Sequence, residues 1–438
     1  MKINPRKTVL ALVLGLSLEL ALGAGHAEVI GHMTAGEPVT EARLAAVPAA
    51  ERAAWREYLA RSQALMAADK AALAAERAAG TPPETAGAHL KGEDGMPLKK
   101  PAAWYATAEA RHVADNIVSF QTPAGGWGKN VNRSGPARQR GEHYAPVDDD
   151  PSGGIISGAK GWSYVGTIDN DATITELKFL ARVQAALPGA QADQYRATFA
   201  KGVNYLLAAQ YPNGGFPQVF PLQGGYHDAI TFNDNAIAQV VELLDDVAAR
   251  KDDYAFVPSD LAGRALAAKE RAVKMILATQ IVVDGVRTGW CQQHDALTLA
   301  PVGARNFEPV AISSGETARL LAVLMKQPSS PPIVSAIDAG AAWLKKVAVY
   351  DVEYTRKTDA KDDGGRRLVA RPGAGPLWSR LYDVKTMKPV FGDRDKSIHT
   401  DVNELSVERR NGYGWYGNGP AATLAAYDKW AAKKRATS

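Results

Sequence analysis

Clusters of Asn, Asp, Ser and Thr recur at three places in the sequence, and each cluster opens an apolar helical run. The clusters span residues 167–173, 231–236 and 313–317. Each follows a turn that combines glycine with an aromatic residue, and these turns lie at 125–129, 214–217 and 289–290. Because the repeat places acidic side chains at matching helix starts, we expect them to gather on one rim of the fold and to mark the site of its chemistry.

Two interpretations fit the acidic clusters. Asp and Asn before an apolar run typically cap a helix, because they accept hydrogen bonds from its free N–H groups and suit its dipole. One residue is enough for a cap, whereas Asp169, Asn170 and Asp171 come together, and Asp234 lies in the same pattern in the second cluster. Ca²⁺ takes several oxygen ligands, which carboxylates on adjacent loops supply. Capping and a hard-cation site both remain open, and no His or Cys spacing suggests zinc.

The elements that must position these clusters are helices. Periodicity predicts helices at about 192–210, 235–250, 260–280, 315–327, 332–349 and 420–434. Gln121, Gln210 and Gln280 each precede a turn, which supports the repeat. The best strand signals lie at 348–354 and 367–370, which could form a small sheet. We therefore predict an all-α fold, an incomplete α/α toroid of irregular helix pairs with long loops and a small β element.

The aromatic residues in the turns have two possible roles. Trp127, Phe216 and Trp290 each follow glycine in a turn of the repeat. Sugar rings stack on such faces, but aromatic side chains also fill the core of a toroid, which is the commoner use. Both roles are compatible with the sequence.

The N-terminus carries the pattern of a targeting segment. Basic residues precede an apolar stretch at 9–21, and small residues at 25–27 follow at the usual cleavage spacing. This pattern predicts a signal peptide over residues 1–27 and a secreted or periplasmic protein, with an uncleaved membrane anchor as the alternative. No later stretch approaches the roughly 18 apolar residues that a membrane span needs. We therefore expect no membrane contact after cleavage.

The rest of the chain divides by composition. Residues 28–100 are predicted to form an N-terminal helical extension and connector, because 38–80 are Ala-rich and the following stretch is rich in Pro and Gly. Residues 101–438 are predicted to form the α/α-toroid catalytic domain. Within it, 130–166 is a loop long enough to suggest function or mobility, and it carries three consecutive Asp residues at 148–150.

Composition and charge exclude few classes of protein. The chain has 438 residues, of which 46% are hydrophobic and 22% charged, as in ordinary soluble proteins. Its formal net charge is +4, and no block of Lys and Arg appears, so we expect no nucleic-acid partner. Mild basicity also suits a polyanionic substrate.

Six motifs in one order make the sequence recognisable. They are WREYLARS at 55–62, GGWGKN at 125–130, TIDNDAT at 167–173, YPNGGFPQ at 211–218, WCQQHD at 290–295 and ERRNGY at 408–413. Over roughly residues 55–416 the chain resembles a secreted bacterial pectate lyase of polysaccharide lyase family ten. The resemblance implies a toroid with a groove at one rim, acting as a monomer on polygalacturonate by Ca²⁺-dependent anti β-elimination.

The resemblance also assigns roles to residues. In such an elimination a base removes the proton on C5 of the uronate, whose carboxylate must be neutralised by a cation, and the 4-linked oxygen leaves. The resemblance implies Asp171 and Asp234, and then Asp169, as Ca²⁺ contacts. It implies Arg305, in the element at 304–308, as the base, although arginine is normally always protonated.

Further cations are expected to bind the polyanion, since Arg–carboxylate pairs can be bidentate. The candidates are Lys129, Arg380, Arg394, Arg409 and Arg410. Charges in 351–410 are nearly balanced, so several of these arginines can equally be structural. After Arg305 the sequence reads Asn-Phe-Glu-Pro where the family usually has Tyr-Glu-Leu-Pro, which bears on subsite preference more than on reaction type.

Two other functions remain compatible with the sequence. An α/α-toroid glycoside hydrolase would use two carboxylates across a cleft. A periplasmic polyuronate-binding protein would keep the groove without turnover. Elimination creates a double bond in the product and hydrolysis does not, so absorbance of the product separates the two enzymes.

Overall fold

The chain folds into packed helices joined by long loops. The computed structural model describes residues 28–80, 96–146, 162–356 and 364–437, so the predicted signal peptide and the Asp residues at 148–150 lie outside the described residues. The α-helices are α1 (Arg52–Ala78), α2 (Ala108–Ser119), α3 (Ile174–Ala186), α4 (Asp193–Ala209), α5 (Ala236–Ala249), α6 (Ser259–Ala278), α7 (Ser314–Leu324), α8 (Pro331–Lys346), α9 (Val407–Gly412) and α10 (Gly419–Thr437). None of these helices is long and apolar enough to cross a lipid bilayer.

The strands are short, and all their pairings are antiparallel. The paired strands are Val29–His32 with Ser397–His399 and Phe391–Gly392, Ile230–Thr231 with Gln293–His294 and Pro301–Val302, Trp378–Ser379 with Tyr416–Gly417, Leu381–Tyr382 with Ile312–Ser313, Val282–Val283 with Val286–Arg287, and Val352–Arg356 with Arg366–Ala370. The last pair is the small sheet that the sequence predicts. In the described part of the chain no sheet closes on itself, so the mostly helical fold is confirmed.

The helices form two rows. α3 packs on α4, α5 on α6 and α7 on α8. One row consists of α3, α5 and α7, and the other of α2, α4, α6 and α8, with neighbours within each row in contact. The six helices with predicted bounds correspond to α4 to α8 and α10 and agree with them to within a few residues, whereas the short α9 was not predicted. The curvature of the rows into a toroid stays a prediction.

The three glutamines of the repeat make the same pair of hydrogen bonds. Each side-chain amide donates to a carbonyl of its own turn and to a carbonyl of the next helix in the row of α2, α4, α6 and α8. For Gln210 the Nε2–O distances are 3.1 Å to Gly214 and 2.8 Å to Ala268 in α6. The glutamines therefore link consecutive helices of this row, while the loops between them vary in length.

The turn aromatics fill the core. Trp127, Phe216 and Trp290 are fully buried. The indole Nε1 of Trp127 donates to the carbonyl of Ile117, and that of Trp290 to the carbonyl of Ile276, both at 2.7 Å. The two tryptophans therefore anchor their turns to the preceding helix, and because all three rings are buried the sugar-stacking role is not available to them.

The N-terminal residues share the main core. Trp55 and Tyr58 of α1 are completely buried, and their rings lie 5.1 and 4.8 Å from the ring of Tyr211. A second, smaller core underlies the C-terminal loops and includes Phe307 and Tyr413. The C-terminal loops are thus held by apolar packing of their own.

We expect Gln210→Ala to lower the free energy of unfolding by about 1–3 kcal/mol, because two buried carbonyls lose their donor. Urea denaturation of the purified protein measures this change. The matched control is Gln194→Ala, whose exposed side chain bonds only at the surface to Asp115. The control should change stability by less than about 0.5 kcal/mol. Equal effects of the two substitutions would contradict a role for Gln210 in joining α4 to α6.

Candidate functional site

Two acidic turns lie side by side at the starts of neighbouring helices. The 3₁₀ turn Asp169–Asp171 precedes α3, and the turn Asn233–Asn235 precedes α5; the two turns are in contact. Both contain consecutive left-handed residues, with φ of 49° and 65° at Asn170 and Asp171 and of 50° and 64° at Asp234 and Asn235. The repeat therefore reproduces one unusual backbone conformation twice.

This conformation explains the Asn and Asp residues better than helix capping does. Neither α3 nor α5 has a side-chain hydrogen bond at its N-cap, which is Thr173 in α3 and Asn235 in α5. Asn and Asp tolerate the left-handed region better than other non-glycine residues. The capping interpretation is thus wrong for these turns, and the carboxylates are available for other partners.

The three predicted metal ligands have different surroundings. Asp169 is buried, and its Oδ2 lies 3.1 Å from the Nζ of Lys129. Asp171 is exposed and accepts a hydrogen bond from Gln239. Asp234 is partly buried and accepts at 2.8 Å from the side chain of the neighbouring Asn233.

The electrostatics of Asp234 show which charges share the site. Burial, followed by the charges of Asp169 and Glu316, raises the pKa of Asp234 to about 6, although Arg380 and Arg305 act in the opposite direction. Glu316 lies in the first turn of α7, at the third polar cluster. Acidic groups from the starts of α3, α5 and α7 therefore repel one another in one place and face two arginines.

Arg305 is bound by a carboxylate of its own loop. Its Nε and Nη2 donate to the two oxygens of Glu308 at 2.9 and 2.6 Å, and the hydroxyl of Tyr413 donates to Glu308 at 2.7 Å. Burial alone would lower the pKa of the Arg305 guanidinium, but the adjacent Glu308 outweighs it, so the pKa lies above its ordinary value. In this arrangement Arg305 is protonated.

Three arginines surround one aromatic ring. The guanidinium carbons of Arg305, Arg394 and Arg409 lie 4.8, 5.0 and 4.2 Å from the centre of the Phe307 ring. Arg394 and Arg409 both bond to Glu408, and these bonds, that to Arg409 first, lower the pKa of Glu408 to about 2. Two of the predicted substrate contacts thus lie beside the predicted base.

Arg380 and Lys129 lie nearer the acidic turns. Arg380 stacks over the ring of Tyr413 at 4.4 Å and donates to the side-chain oxygen of Asn233 at 3.1 Å. The Nζ of Lys129 lies 3.4 Å above the centre of the Tyr164 ring, in addition to its contact with Asp169. Arg380 and Lys129 therefore each link one of the acidic turns to an aromatic ring.

Arg410 differs from the other predicted substrate contacts in that its partners are backbone carbonyls, although Arg409 beside it is buried as well. It is buried in α9, and its guanidinium donates to the backbone carbonyls of Leu405 at 3.0 Å and Arg366 at 3.2 Å. Those bonds join α9 to the strand Arg366–Ala370. The structure therefore gives Arg410 a structural role in joining the C-terminal loops.

The oxygen donors suit a hard cation. Asp169, Asp171 and Asp234 supply carboxylates, and a bound cation would offset both the burial and the repulsion that raise the pKa of Asp234. Within the described ranges, no three His, Cys, Asp or Glu side chains already form a closed metal-binding group. A cation here would need water or a ligand to complete its coordination.

Sequence reasoning missed several residues of the site, chiefly Glu308, Glu316, Phe307 and Tyr413. Glu316 had a weaker signal, because it belongs to the third polar cluster but lies inside the first turn of α7, whereas Asp234 precedes α5. Glu308 lies three residues after Arg305, a spacing at which opposite charges on one turn can meet. Tyr413 is more than one hundred residues from Glu308, and nothing local indicates their contact.

The family-model comparison and the structure comparison both match the chain to polysaccharide lyases. The family model described as pectic acid lyase matches residues 121–424. A solved family 10 polysaccharide lyase from Cellvibrio cellulosa is 32% identical, with a TM-score of 0.63, and the alignment covers 78% of this chain and 99% of that one. A structure of the same lyase with one Asp replaced by Ala, in complex with trigalacturonic acid, gives the same values. No curated protein sequence matches the chain.

We expect Asp234→Asn to stabilise the protein at pH 8 in the presence of a chelator. The pKa of Asp234 is raised, so its ionised form costs stability above about pH 6, and that cost disappears as the pH falls towards the ordinary value of about 4. The variant should therefore have the higher Tm at pH 8 and nearly the same Tm as the natural protein at pH 4. Asp193→Asn, at an exposed site, is the control and should show no such pH dependence.

Proposed function

Since this chain belongs to polysaccharide lyase family 10, we propose that it is a pectate lyase that cleaves polygalacturonate by Ca²⁺-dependent anti β-elimination, with Arg305 as the base. The observation that carries the proposal is the meeting of two acidic turns with a group of arginines at one place. The complex of a related lyase with trigalacturonic acid supports the substrate class. With membership of a lyase family, the glycoside hydrolase alternative loses its support.

The cations of the site suit a chain of uronates. Arg305 and Arg394 present partly exposed guanidinium groups beside Phe307, and each can pair with a carboxylate in bidentate geometry, whereas Arg409 is buried against the same ring. Arg380 and Lys129 extend the positive charge towards the acidic turns. A polymer with one carboxylate per sugar would find several partners in sequence along this surface, whereas a neutral polysaccharide would leave them unused.

The acidic turns suit a cation that is shared with the substrate. Asp169, Asp171 and Asp234 would hold Ca²⁺, which when bound neutralises the uronate carboxylate and so makes the C5 proton more acidic. The protein side chains do not complete the coordination by themselves. The remaining positions suit oxygens of the polysaccharide, so that the acidic turns also orient the sugar.

Arg305 can act in two ways, and they have different requirements. As a base it must lose its proton, although Glu308 raises its pKa, so the charge of Glu308 must be offset when substrate and Ca²⁺ are present. The proton on C5 then passes to the guanidine, and the C–H electrons form the C4–C5 double bond. The C4–O bond breaks with its electrons on the departing glycosidic oxygen, which takes a proton from water. As a cation Arg305 would only stabilise the developing negative charge. We propose the first role, that of the base.

From the signal-like residues 1–27 we also propose that the protein is secreted or periplasmic.

We expect a chelator to abolish most of the activity on polygalacturonate without unfolding the protein, because the acidic turns are held by backbone packing and helix contacts. The assay follows ultraviolet absorbance of the unsaturated product, with and without added Ca²⁺. Circular dichroism on the same samples measures the fold. Cooperative unfolding on chelation would make the ion structural, and unchanged activity would remove the metal from the proposal.

The same assay tests the reaction type. An increase in reducing ends without ultraviolet absorbance would indicate hydrolysis, and binding of oligogalacturonate without either signal would indicate a binding protein.

Arg305→Lys should bind oligogalacturonate nearly as well as the natural protein but turn over at least about a thousandfold more slowly. Lysine keeps the charge but lacks the planar fork and has another pKa, so it cannot take the proton from the same place. Calorimetric binding and steady-state kinetics on both proteins measure the two quantities. The control is Arg319→Lys, in an ion pair with Glu242 on the helical body. Near-normal turnover of Arg305→Lys would assign charge stabilisation to Arg305 and the base to another group.

A further inference from the structure

An N-terminal segment outside the family match runs along the loop that carries Arg305. We call residues 28–47 the strap; the family model begins at residue 121. The strand Val29–His32 at the start of the strap pairs with Ser397–His399. The backbone N–H of Met33 then donates to the carbonyl of Lys396 at 2.8 Å. The N-terminal end of the strap therefore pairs with residues 396–399, which closely follow Arg394.

The strap meets the Arg305 loop at Gly303. The N–H of Gly36 donates to the carbonyl of Gly303 at 2.8 Å, and residues 35 and 303 form a parallel bridge. A Cβ atom at Gly303 would lie 2.5 Å from the carbonyl oxygen of Thr34 and 3.0 Å from that of Glu308. Glycine at 303 therefore lets the strap and the loop approach closely. The loop closes at the same point, because the N–H of Ala304 donates to the carbonyl of Glu308 at 3.0 Å.

Arg43 ties the strap to the turn that leads into this loop. Its guanidinium donates to Oδ2 of Asp295 at 2.5 Å and to the carbonyl of Pro38 at 2.9 Å. The other oxygen of Asp295 accepts from the backbone N–H groups of Leu297 and Thr298 at 3.0 and 2.9 Å. Arg43 thus holds the strap a few residues after the Gly36–Gly303 contact. It also holds the turn at Asp295, which precedes Gly303 in the sequence.

A third contact fixes the middle of the strap. The N–H of Val39 donates to Oδ2 of Asp228 at 3.0 Å, and Asp228 Oδ1 accepts from Gly224 at 2.8 Å. The strap then enters the main core through the buried side chains of Leu44 and Val47. It is therefore held at both ends and at its centre, with the Gly303 contact between fixed points.

We propose that the strap is a positioning element of the active site, and that Arg43 is the positioning residue which sets the geometry of the 303–308 loop and, through it, of Arg305. This inference rests on the proposed function of Arg305. Arg43 does not touch the reacting groups, so it acts only through the loop. A displacement of a catalytic group by about 1 Å can cost about a hundredfold in rate.

Hydrogen exchange tests the positioning itself, whatever the role of Arg305. In Arg43→Ala, amides of the 301–308 segment should exchange about tenfold faster than in the natural protein. Asp295→Asn, which keeps the acceptor for Leu297 and Thr298, should act in the same direction if Arg43→Ala does not fold. The matched control is Arg264→Ala, which removes an exposed ion pair with Asp260 on α6, outside both the strap and the loop. Unchanged exchange at 301–308 in folded variants would overturn the proposal.

Kinetics then tests the route through Arg305. Arg43→Ala should lower kcat about tenfold with KM changed by less than about twofold. Arg43→Lys should recover part of the loss, and the control Arg264→Ala should change neither quantity. In an Arg305→Lys background the loss caused by Arg43→Ala should disappear, since coupled residues are not additive. An equal loss in both backgrounds would show that Arg43 acts elsewhere and would overturn the proposal. Full activity of Arg305→Lys alone would instead overturn the proposed base, and the exchange experiment would still decide the role of the strap.

Discussion

The site depends on how a group of like charges is held together. Arg305, Arg394 and Arg409 converge on the ring of Phe307, where their mutual repulsion would drive them apart without compensation. Glu308 and Glu408 supply that compensation through paired hydrogen bonds, and the aromatic face adds cation–π attraction. The acidic turns carry the opposite excess of charge. The site is thus a boundary between a cluster of arginines and a cluster of carboxylates.

The helical scaffold keeps the acidic side of this boundary in place. Asp169, Asp234 and Glu316 stand at the starts of three helices in one row, where the positive ends of the helix dipoles favour negative charge. The glutamines of the repeat hold the other row at constant spacing, although the connecting loops differ in length. Regular packing on one side of the molecule therefore permits irregular, functional loops on the other.

Sequence reasoning was accurate where local chemistry decides the structure. Helix positions followed from periodicity, and the adjacency of the acidic turns followed from the repeat. It failed for capping, because the left-handed backbone at Asp171 and Asp234 depends on how the turns pack. It also missed the contact between Glu308 and Tyr413, which distant segments create. Arg410 shows a third limit, since residue type does not reveal whether a guanidinium faces solvent or a backbone carbonyl.

Glu308 and Glu408 also give the free protein the appearance of a protein already bound to its ligand. Their carboxylates occupy Arg305, Arg394 and Arg409 in the manner expected of a uronate. If polygalacturonate binds at these arginines as proposed, docking of each acidic sugar would exchange one carboxylate for another, so its affinity would reflect only the difference between two similar anions. Such an exchange would keep the binding of each single sugar weak and would let an internal anion displace the product after cleavage. A site of this kind would bind a long polymer tightly and would release short fragments readily.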